Sequence, residues 1–303
     1  MKPTRSDKGP LIAFMAPAIT VMVIFFVIPV IYVIAVSLLK WNGISAPAYN
    51  NIRNFQLLFK DKSFIRSVVN NIIWALVAGF IQVPLAMVMA IILSRKPRGW
   101  KFFRTVYFFP QVISGIALAT LWRAIYNAEH GMLNGLLRAI GFGAVAKDWL
   151  GTIQTAFPAV LIYWVFYVGY YMVIMMADIT TIDTSYYEAA TIDGASDFQQ
   201  AIYITIPLIR KTSLLTCVTL ASVMGLRQFE QVYMLTNGQP ANTTSTIVLY
   251  MYKKMQSSNY GIASASAVIL IIIGIVFIVC IRTLFQGRNE EAAALKKARR
   301  DVR

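Results

Sequence analysis

Long apolar stretches constrain the fold of this chain more than any other feature of its sequence. A helix needs roughly 20 mainly apolar residues to cross the hydrocarbon core of a bilayer. Five stretches meet this requirement, at residues 11–39, 72–93, 106–124, 156–177 and 262–281. A sixth stretch, residues 214–226, is shorter, but without it the two termini would lie on opposite sides of the membrane. The sequence therefore predicts an all-α polytopic membrane protein with six transmembrane helices.

Composition and charge agree with a membrane environment. The chain is 58% hydrophobic and only 14% charged, whereas soluble domains carry about 25% charged residues. Its net charge of +15 would point to nucleic acid in a soluble protein. Here the cations lie beside the apolar stretches, where they meet anionic lipid headgroups and set the topology. We expect contact with membrane lipid and no nucleic-acid partner.

The distribution of Lys and Arg predicts which loops are cytosolic. Basic residues are concentrated in segments 1–10, 94–105, 178–212 and 282–303, which places both termini inside by the positive-inside rule. The outer segment 40–71 is an exception to this rule, because it also carries several basic residues. The first stretch is too long for the apolar region of a signal peptide and is interpreted as an uncleaved span.

Few residues suit metal or enzyme chemistry. His130 is the single histidine, and Cys217 and Cys280 lie within apolar stretches, so we expect no metal site and no disulfide. The sequence shows no phosphate-binding loop or nucleophile elbow, which argues against an enzyme. None of the six stretches has a central Asp or Glu, which weighs against an ion-coupled secondary transporter.

The chain is expected to form one membrane domain with the following parts. They are a cytosolic N-terminus (1–10), a first transmembrane helix (11–39), an outer loop with an interfacial helix (40–68), a core of five helices (69–282) and a cytosolic tail (283–303). The interfacial helix is inferred from apolar residues at helical spacing among charges after residue 51. The first helix is expected to lie at the periphery of the core.

A long loop within the core, residues 183–205, has the pattern of a helix, a turn and a second helix. Ser185 and Glu188 are spaced as a capping box, and Asp193 and Gly194 make a natural stop and turn. An apolar face on the first helix is supplied by Tyr186, Ala189, Ala190 and Ile192.

The second helix of this loop is predicted to begin at Ser196 or Asp197 and to run through Ile202. Pro207 is expected to end the segment where the fifth span begins. Small residues and a projecting carboxylate suit docking into a groove of a partner protein. The alternative is an amphipathic element that only covers the inner end of the bundle.

The loop sequence EAATIDGAS, followed by ITIPLIRK, resembles the signature of the inner-membrane permease subunits of binding-protein-dependent ABC importers. The segments NIRNFQLLF, SVVNNIIWAL, RGWKFFRTVYFFPQVISGIALATLWR and FEQVYMLTNGQPANTTSTIVLYMY are similar to the sugar-permease branch of the same family, the maltose and glycerol-phosphate type. The resemblance covers nearly the whole chain and is closest to the six-span member of the permease pair. It implies the type I ABC importer permease architecture in a bacterial or archaeal plasma membrane.

The resemblance also implies partners and roles. The partners would be a second permease subunit, two copies of a cytosolic ATPase that binds ATP-Mg, and an extracytoplasmic solute-binding protein, with no cofactor on this chain. Residues 183–205 would be a coupling loop that docks into the ATPase. The residues implied in coupling are Glu188, Ala189, Ala190, Asp193, Gly194 and Pro207.

A carbohydrate path is expected along the fourth and fifth spans. Aromatic faces stack on sugar rings, and amide or hydroxyl groups bond sugar hydroxyls. The candidate residues are Tyr163, Trp164, Tyr167, Ser222, Gly225 and Gln228. The same residue types also form aromatic belts at the membrane interface and hold helices together, so a purely structural role for these residues is the alternative. Arg227 is interpreted either as a snorkelling terminus or local ion pair, which we favour, or as part of an outer gate.

Several functions remain open at the level of sequence. The main prediction is half of the translocation pathway of an ATP-driven sugar importer, with ATP hydrolysed on a separate subunit. A permease for a polyol or glycerol phosphate is the first alternative. An ion-coupled transporter, a membrane enzyme and a non-transporting scaffold are the others.

Overall fold

A computed structural model describes the backbone of residues 8–301 and the side chains of residues 13–285. The predicted cytosolic termini, residues 1–10 and 283–303, therefore lie almost wholly outside the described side chains. The described backbone is mainly helical. Its α-helices are α1 (Lys8–Met22), α2 (Ile28–Ser37), α3 (Arg53–Lys60), α4 (Lys62–Val77), α5 (Val83–Ser94), α6 (Trp100–Phe108), α7 (Gly115–Ile125), α8 (Met132–Ala139), α9 (Ile153–Val165), α10 (Gly169–Ile179), α11 (Thr184–Ile192), α12 (Asp197–Gln200), α13 (Ile206–Ile209), α14 (Leu215–Leu226), α15 (Glu230–Leu235), α16 (Ile247–Gln256) and α17 (Tyr260–Asp301).

Short irregular elements complete the backbone. Single π-helical turns join consecutive α-helices at Val23–Val27, Ala78–Gln82, Ala201–Thr205 and Arg210–Leu214. Two 3-10 turns lie at Phe109–Val112 and Gly143–Val145. Strands β1 (Leu39–Lys40) and β2 (Ala48–Tyr49) form one antiparallel pair in which Leu39 is opposite Tyr49. This small pair is a departure from the all-α prediction.

Five helical runs are long and apolar enough to cross a membrane. They are Ala13–Ser37, Lys62–Ser94, Ile153–Ile179, Asp197–Leu226 and Tyr260–Phe285. A sixth candidate is a bent pair, Trp100–Val112 and Gly115–Ile125, whose two halves meet at 103°. The described part of the chain therefore has five candidate spans, or six if the bent pair counts as one.

The third predicted span, residues 106–124, is not one straight helix. The 3-10 turn that contains Pro110 is followed by Ile113 and Ser114, whose backbone is extended (ψ 139° and 135°). Helical hydrogen bonding cannot continue through extended residues, so α7 starts in a new direction. The apolar length of the stretch was visible in the sequence, but the break was not.

Two helix boundaries also differ from the sequence prediction. The second span begins at Lys62, so residues 62–68 belong to it rather than to the outer loop. The fifth begins at Asp197, and Pro207 lies inside this run instead of ending it. Wide π turns lie on both sides of Pro207, and such turns accommodate the missing backbone donor of a proline.

One compact unit comprises residues 1–64 and 250–271. The first span has few buried side chains, only 6% of its most apolar window. The predicted interfacial helix corresponds to α3. Asn54 of α3 is buried, and its Nδ2 donates to the carbonyls of Ser37 (2.8 Å) and Leu39 (2.9 Å). These bonds fix α3 against the end of the first span.

Asp61, between α3 and α4, is the polar centre of the same unit. It accepts a hydrogen bond from the Tyr250 hydroxyl (2.7 Å) and lies 3.5 Å from Nζ of Lys254. Burial alone would raise the pKa of Asp61. The hydrogen bonds from Tyr250 and the Ser63 N–H, with the charge of Lys254, outweigh burial and hold its pKa below the usual value.

The second compact unit comprises residues 65–249 and 272–303. Two buried asparagines of α4 hold the connections at one end of its helices. Asn70 donates to the carbonyls of Thr243 and Ser245, both at 2.8 Å. Asn71 donates to the Leu226 carbonyl (2.6 Å) and accepts from the Ile247 N–H (2.6 Å). The end of α14 and the start of α16 are thereby tied to the second span.

Replacing Asn71 by alanine is expected to destabilise the protein by about 2–5 kcal/mol, since a buried carbonyl and a buried N–H would both lose their partners. Asn259→Ala is the matched control, because Asn259 is exposed. Thermal unfolding in detergent measures the difference, and we expect the midpoint of Asn71→Ala to fall at least about 5 °C below that of the control. Equal midpoints would show that the Asn71 bonds contribute little.

Candidate functional site

The first half of the coupling loop is α11, whose N-terminus is capped by Asp183. The Asp183 carboxylate accepts from the Ser185 N–H at 2.9 Å, and this bond holds the pKa of Asp183 below its usual value. The predicted capping box of Ser185 and Glu188 is wrong. Asp183 has the extended backbone of a cap, and the helix begins at Thr184, so Ser185 is already helical.

The turn and the second helix follow the sequence pattern closely. Gly194 has a φ of +77°, the left-handed conformation that glycine adopts without steric cost. Ser196 caps the next helix in a capping box, in which its N–H donates to Gln199 Oε1 (2.7 Å) and its hydroxyl accepts from the Gln199 N–H (3.4 Å). The helix then continues past Ile202 as part of the fifth span, which begins at Asp197.

Three contacts brace the coupling loop. The hydroxyls of Tyr187 and Thr205 are 2.9 Å apart, and Gln200 Nε2 donates to the Thr191 hydroxyl at 3.0 Å. Arg95, just after α5, forms an ion pair with the Asp197 carboxylate. The sequence analysis missed these bracing residues. Gln200 alone carried a signal in the sequence, because it is an amide one turn after the predicted cap at Ser196. Its side chain is buried in the structure.

The coupling loop exposes both carboxylates and large apolar side chains. Glu188, Ala189, Asp193 and Gly194 are exposed, and Ala190 is half-buried. Glu188 has no ion-pair partner among the described residues. Four large apolar side chains of the same loop are exposed, with relative exposures of 56% for Tyr186, 87% for Ile192, 73% for Phe198 and 75% for Tyr203. We call these four the docking patch. Pro207 is also exposed, within the helix that follows.

A cavity of about 660 Å³ lies among the spans of the second unit. Its size is within the range of ligand pockets, roughly 300–1,000 Å³. Four of the six predicted path residues line it, namely Tyr163, Trp164, Tyr167 and Gln228. The rest of its wall is formed by Gln82, Pro110, Gln111, Ile113, Gly115, Leu118, Tyr170, Tyr171, Leu220, Met224, Arg227, Phe229, Glu230 and Gln231.

The cavity lies where the fourth span is interrupted between α9 and α10. Residues 166–168 break the helical ladder, and the freed carbonyls are bound by side chains. Gln82 Nε2 donates to the carbonyls of Trp164 and Tyr167, both at 3.0 Å, and Gln111 Nε2 donates to Tyr167 at 3.2 Å. The sequence analysis missed both glutamines, although an amide within an apolar stretch, as at Gln82, is the signal that identifies such a position.

Two amide oxygens on the cavity wall have no hydrogen-bond donor within the described part of the chain. They are Oε1 of Gln82 and Oε1 of Gln228, whose residues are only 1% and 5% exposed. Both oxygens are themselves buried, and a buried acceptor without a partner costs roughly 1–3 kcal/mol, so each would gain from a donor that reaches it after a movement of the side chain. The cavity wall combines amide side chains with aromatic faces.

Ser222 and Gly225 do not line the cavity. Both lie on α14 where it packs against the second span. A Cβ on Gly225 would come within 2.7 Å of the Trp74 carbonyl oxygen, so only glycine allows this approach. Ser222 is fully buried, facing Gly79. The structure thus gives these two residues a packing position, which is the usual role of small residues between membrane helices.

Arg227 lies on the cavity wall at the end of α14. Among the described residues it makes no ion pair within 4 Å with Glu230 or any other carboxylate, which contradicts the local-pair part of the favoured interpretation. The snorkelling terminus and the outer gate stay predictions. No group of three or more His, Cys, Asp or Glu side chains in the described residues is arranged to hold a metal ion. The arrangement suits binding of a polar solute.

Comparisons with known proteins agree with this arrangement. A permease of Bacillus subtilis (strain 168), the probable ABC transporter permease protein YurN, is 34% identical over 285 residues, which cover 92% of this chain and 96% of that protein. The diacetylchitobiose uptake system permease protein NgcF of Streptomyces coelicolor is 32% identical over 281 residues, covering 88% and 79% of the two chains.

A solved structure has the same fold. In the crystal structure of a bacterial ABC transporter involved in the import of the acidic polysaccharide alginate, one chain superposes with a TM-score of 0.79, covering 93% of this chain and 96% of that one at 22% identity. The family described as the binding-protein-dependent transport system inner membrane component matches residues 82–289, more than half of the chain. This chain is therefore an inner-membrane permease component of the binding-protein-dependent transport family.

Proposed function

We propose that this chain forms half of the translocation pathway for a neutral sugar or oligosaccharide in an ATP-driven importer. The aromatic and amide side chains that line one cavity carry the proposal. Amide groups form hydrogen bonds with sugar hydroxyls, while the sugar ring stacks on aromatic faces. The name of the Streptomyces relative, a diacetylchitobiose uptake system permease, supports the same substrate class.

The charge of the cavity wall favours a neutral solute over glycerol phosphate. Arg227 and Glu230 are its only formally charged residues among those described, and their charges cancel. A phosphate monoester would need two or more unopposed cations to offset its desolvation. The sugar is therefore the proposed substrate, and glycerol phosphate becomes an outcome of the test.

Energy is proposed to enter through the coupling loop, which would face the cytosol with both termini. An ATPase can drive transport only through contacts that differ between inward- and outward-facing states. The exposed Glu188 would pair with a basic residue of the ATPase, and the docking patch would fill its cleft. ATP-Mg would be held by the ATPase, with a second permease subunit and an extracytoplasmic binding protein completing the importer.

Uptake into vesicles tests the proposal directly. The chain is co-purified with its second permease subunit, ATPase and binding protein, and is supplied with labelled diacetylchitobiose, maltose or glycerol 3-phosphate. We expect uptake of a sugar that requires ATP on the ATPase side and persists when ion gradients are collapsed. The purified chain alone should hydrolyse no ATP. Uptake driven by an ion gradient without ATP would contradict the proposal, and uptake of glycerol phosphate alone would contradict the substrate class.

Gly194→Trp should uncouple ATP hydrolysis from transport. No atom lies within 4 Å of the position of a Cβ on Gly194, so the indole would project from the loop and obstruct docking. Gly141→Trp is the matched control, because Gly141 also has a positive φ (+88°) and equally open surroundings. We expect sugar transported per ATP hydrolysed to fall at least about tenfold in Gly194→Trp. A Gly194→Trp complex that assembles and transports at the parental rate would exclude this role for the loop.

Gln228→Ala should weaken transport through the cavity. Loss of one hydrogen bond to the solute is worth about 0.5–1.5 kcal/mol, or roughly a two- to tenfold lower uptake rate at limiting sugar. The control is Gln154→Ala, since Gln154 is exposed at the start of α9, away from the cavity wall. The initial uptake rate is measured for both variants at equal protein in the membrane. Equal rates would remove Gln228 from the path.

A further inference from the structure

A second polar site lies beside the cavity-forming spans, in a groove between α6 and α10. The groove consists of two adjacent hollows, of about 310 and 260 Å³, that share Trp100, Arg104 and Val173. The end of α5 and the turn after it close one side through Ser94 and Lys96. None of these residues belongs to the sugar cavity or to the docking patch.

The groove is strongly cationic. Three of its lining residues are basic, namely Lys96, Lys101 and Arg104, and none of the described lining residues is acidic. These three cations make no ion pair within 4 Å in the described part of the chain, and Nζ of Lys101 lies 5.9 Å from the centre of the Trp100 ring. Uncompensated cations that converge on one groove favour an anionic occupant.

Apolar side chains line the groove together with the cations. They are Phe108, Val173 and Met176. On the opposite face of α6, Phe102, Phe103 and Val106 are exposed. A helix with one cationic and one apolar face is typical of the membrane interface. Because Trp100 is also the first residue of the bent candidate span, the groove lies at the end of that span, where a membrane has its headgroups.

We propose that this groove binds one anionic phospholipid. Arg104 and Lys101 bind the phosphate of the headgroup, and the acyl chain packs against Phe108 and Val173. Inorganic phosphate would satisfy the cations but leave the apolar side chains uncovered. A protein partner would need an acidic segment at this depth, whereas lipid is already present there. Basic pockets between membrane helices have this chemistry.

Native mass spectrometry of the full chain tests the site. The delipidated protein in detergent is titrated separately with phosphatidylglycerol and phosphatidylcholine, and the dissociation constant of the one-lipid adduct is measured. One cation near a headgroup contributes about a fivefold change in affinity, so we expect phosphatidylglycerol to bind at least about fivefold more tightly than phosphatidylcholine. The double variant Lys101→Gln/Arg104→Gln should remove most of this preference and weaken phosphatidylglycerol binding more than phosphatidylcholine binding, because the choline of phosphatidylcholine already neutralises its phosphate.

The matched control is Arg123→Gln/Lys147→Gln. It removes the same charge from exposed positions outside the groove, and Lys147 also lies over a tryptophan ring, that of Trp149, at 5.2 Å. This variant should keep the parental preference. An equal loss in both double variants would overturn the proposal, because the effect would then be one of net charge. Displacement of the lipid by millimolar inorganic phosphate, or by the second permease subunit, would also overturn it, identifying a free-anion site or a subunit contact.

Discussion

The hydrocarbon core of a membrane offers no hydrogen-bond partner, so each interruption of a helix must be satisfied by the protein itself. Gln82, a residue of the second span, meets this requirement for the break in the fourth span. Both N–H groups of its amide are directed to carbonyls freed between α9 and α10, at Trp164 and Tyr167. Its oxygen is buried and has no donor in the described part of the chain. The side chain that completes the broken helix also belongs to the cavity wall.

Other amide side chains also bind backbone groups that have no partner in a helix. Asn71 supplies a donor and an acceptor to the ends of α14 and α16, and Asn70 binds two carbonyls of the preceding connection. Asn54 does the same for the end of the first span. Each amide is buried, and each replaces backbone hydrogen bonds that a turn cannot make. Irregular segments can thereby be fixed in place without additional secondary structure.

Sequence reasoning succeeded where a local rule decides the structure. Apolar length located the spans, and the left-handed turn at Gly194 and the cap at Ser196 followed from residue type and spacing. It failed where contacts between residues far apart in the sequence decide the structure. The break at Ile113 and the continuous helix through Pro207 depend on neighbouring turns. The position of Ser222 depends on which face of α14 meets the second span, which periodicity cannot identify in a helix that is apolar all round.

The same limit applies to the candidate site. The aromatic residues of the fourth span were visible in the sequence, but the glutamines that face them come from other helices and meet them only in the fold. Asp183 caps the helix in place of Ser185 because two residues only two positions apart were both capable of it. Residue type indicates what a side chain can bind. Tertiary structure decides which of several equivalent residues does so.

The docking patch has a consequence for the life of the chain in the cell. Tyr186 and Ile192 of the patch lie outside the candidate spans, and each forgoes the free energy that burial would release while it stays exposed. A copy in which they are uncovered displays the kind of surface that chaperones and proteases recognise. We infer that any partner that covers these residues would lengthen the half-life of the chain, and the half-life with and without the proposed ATPase would measure the dependence.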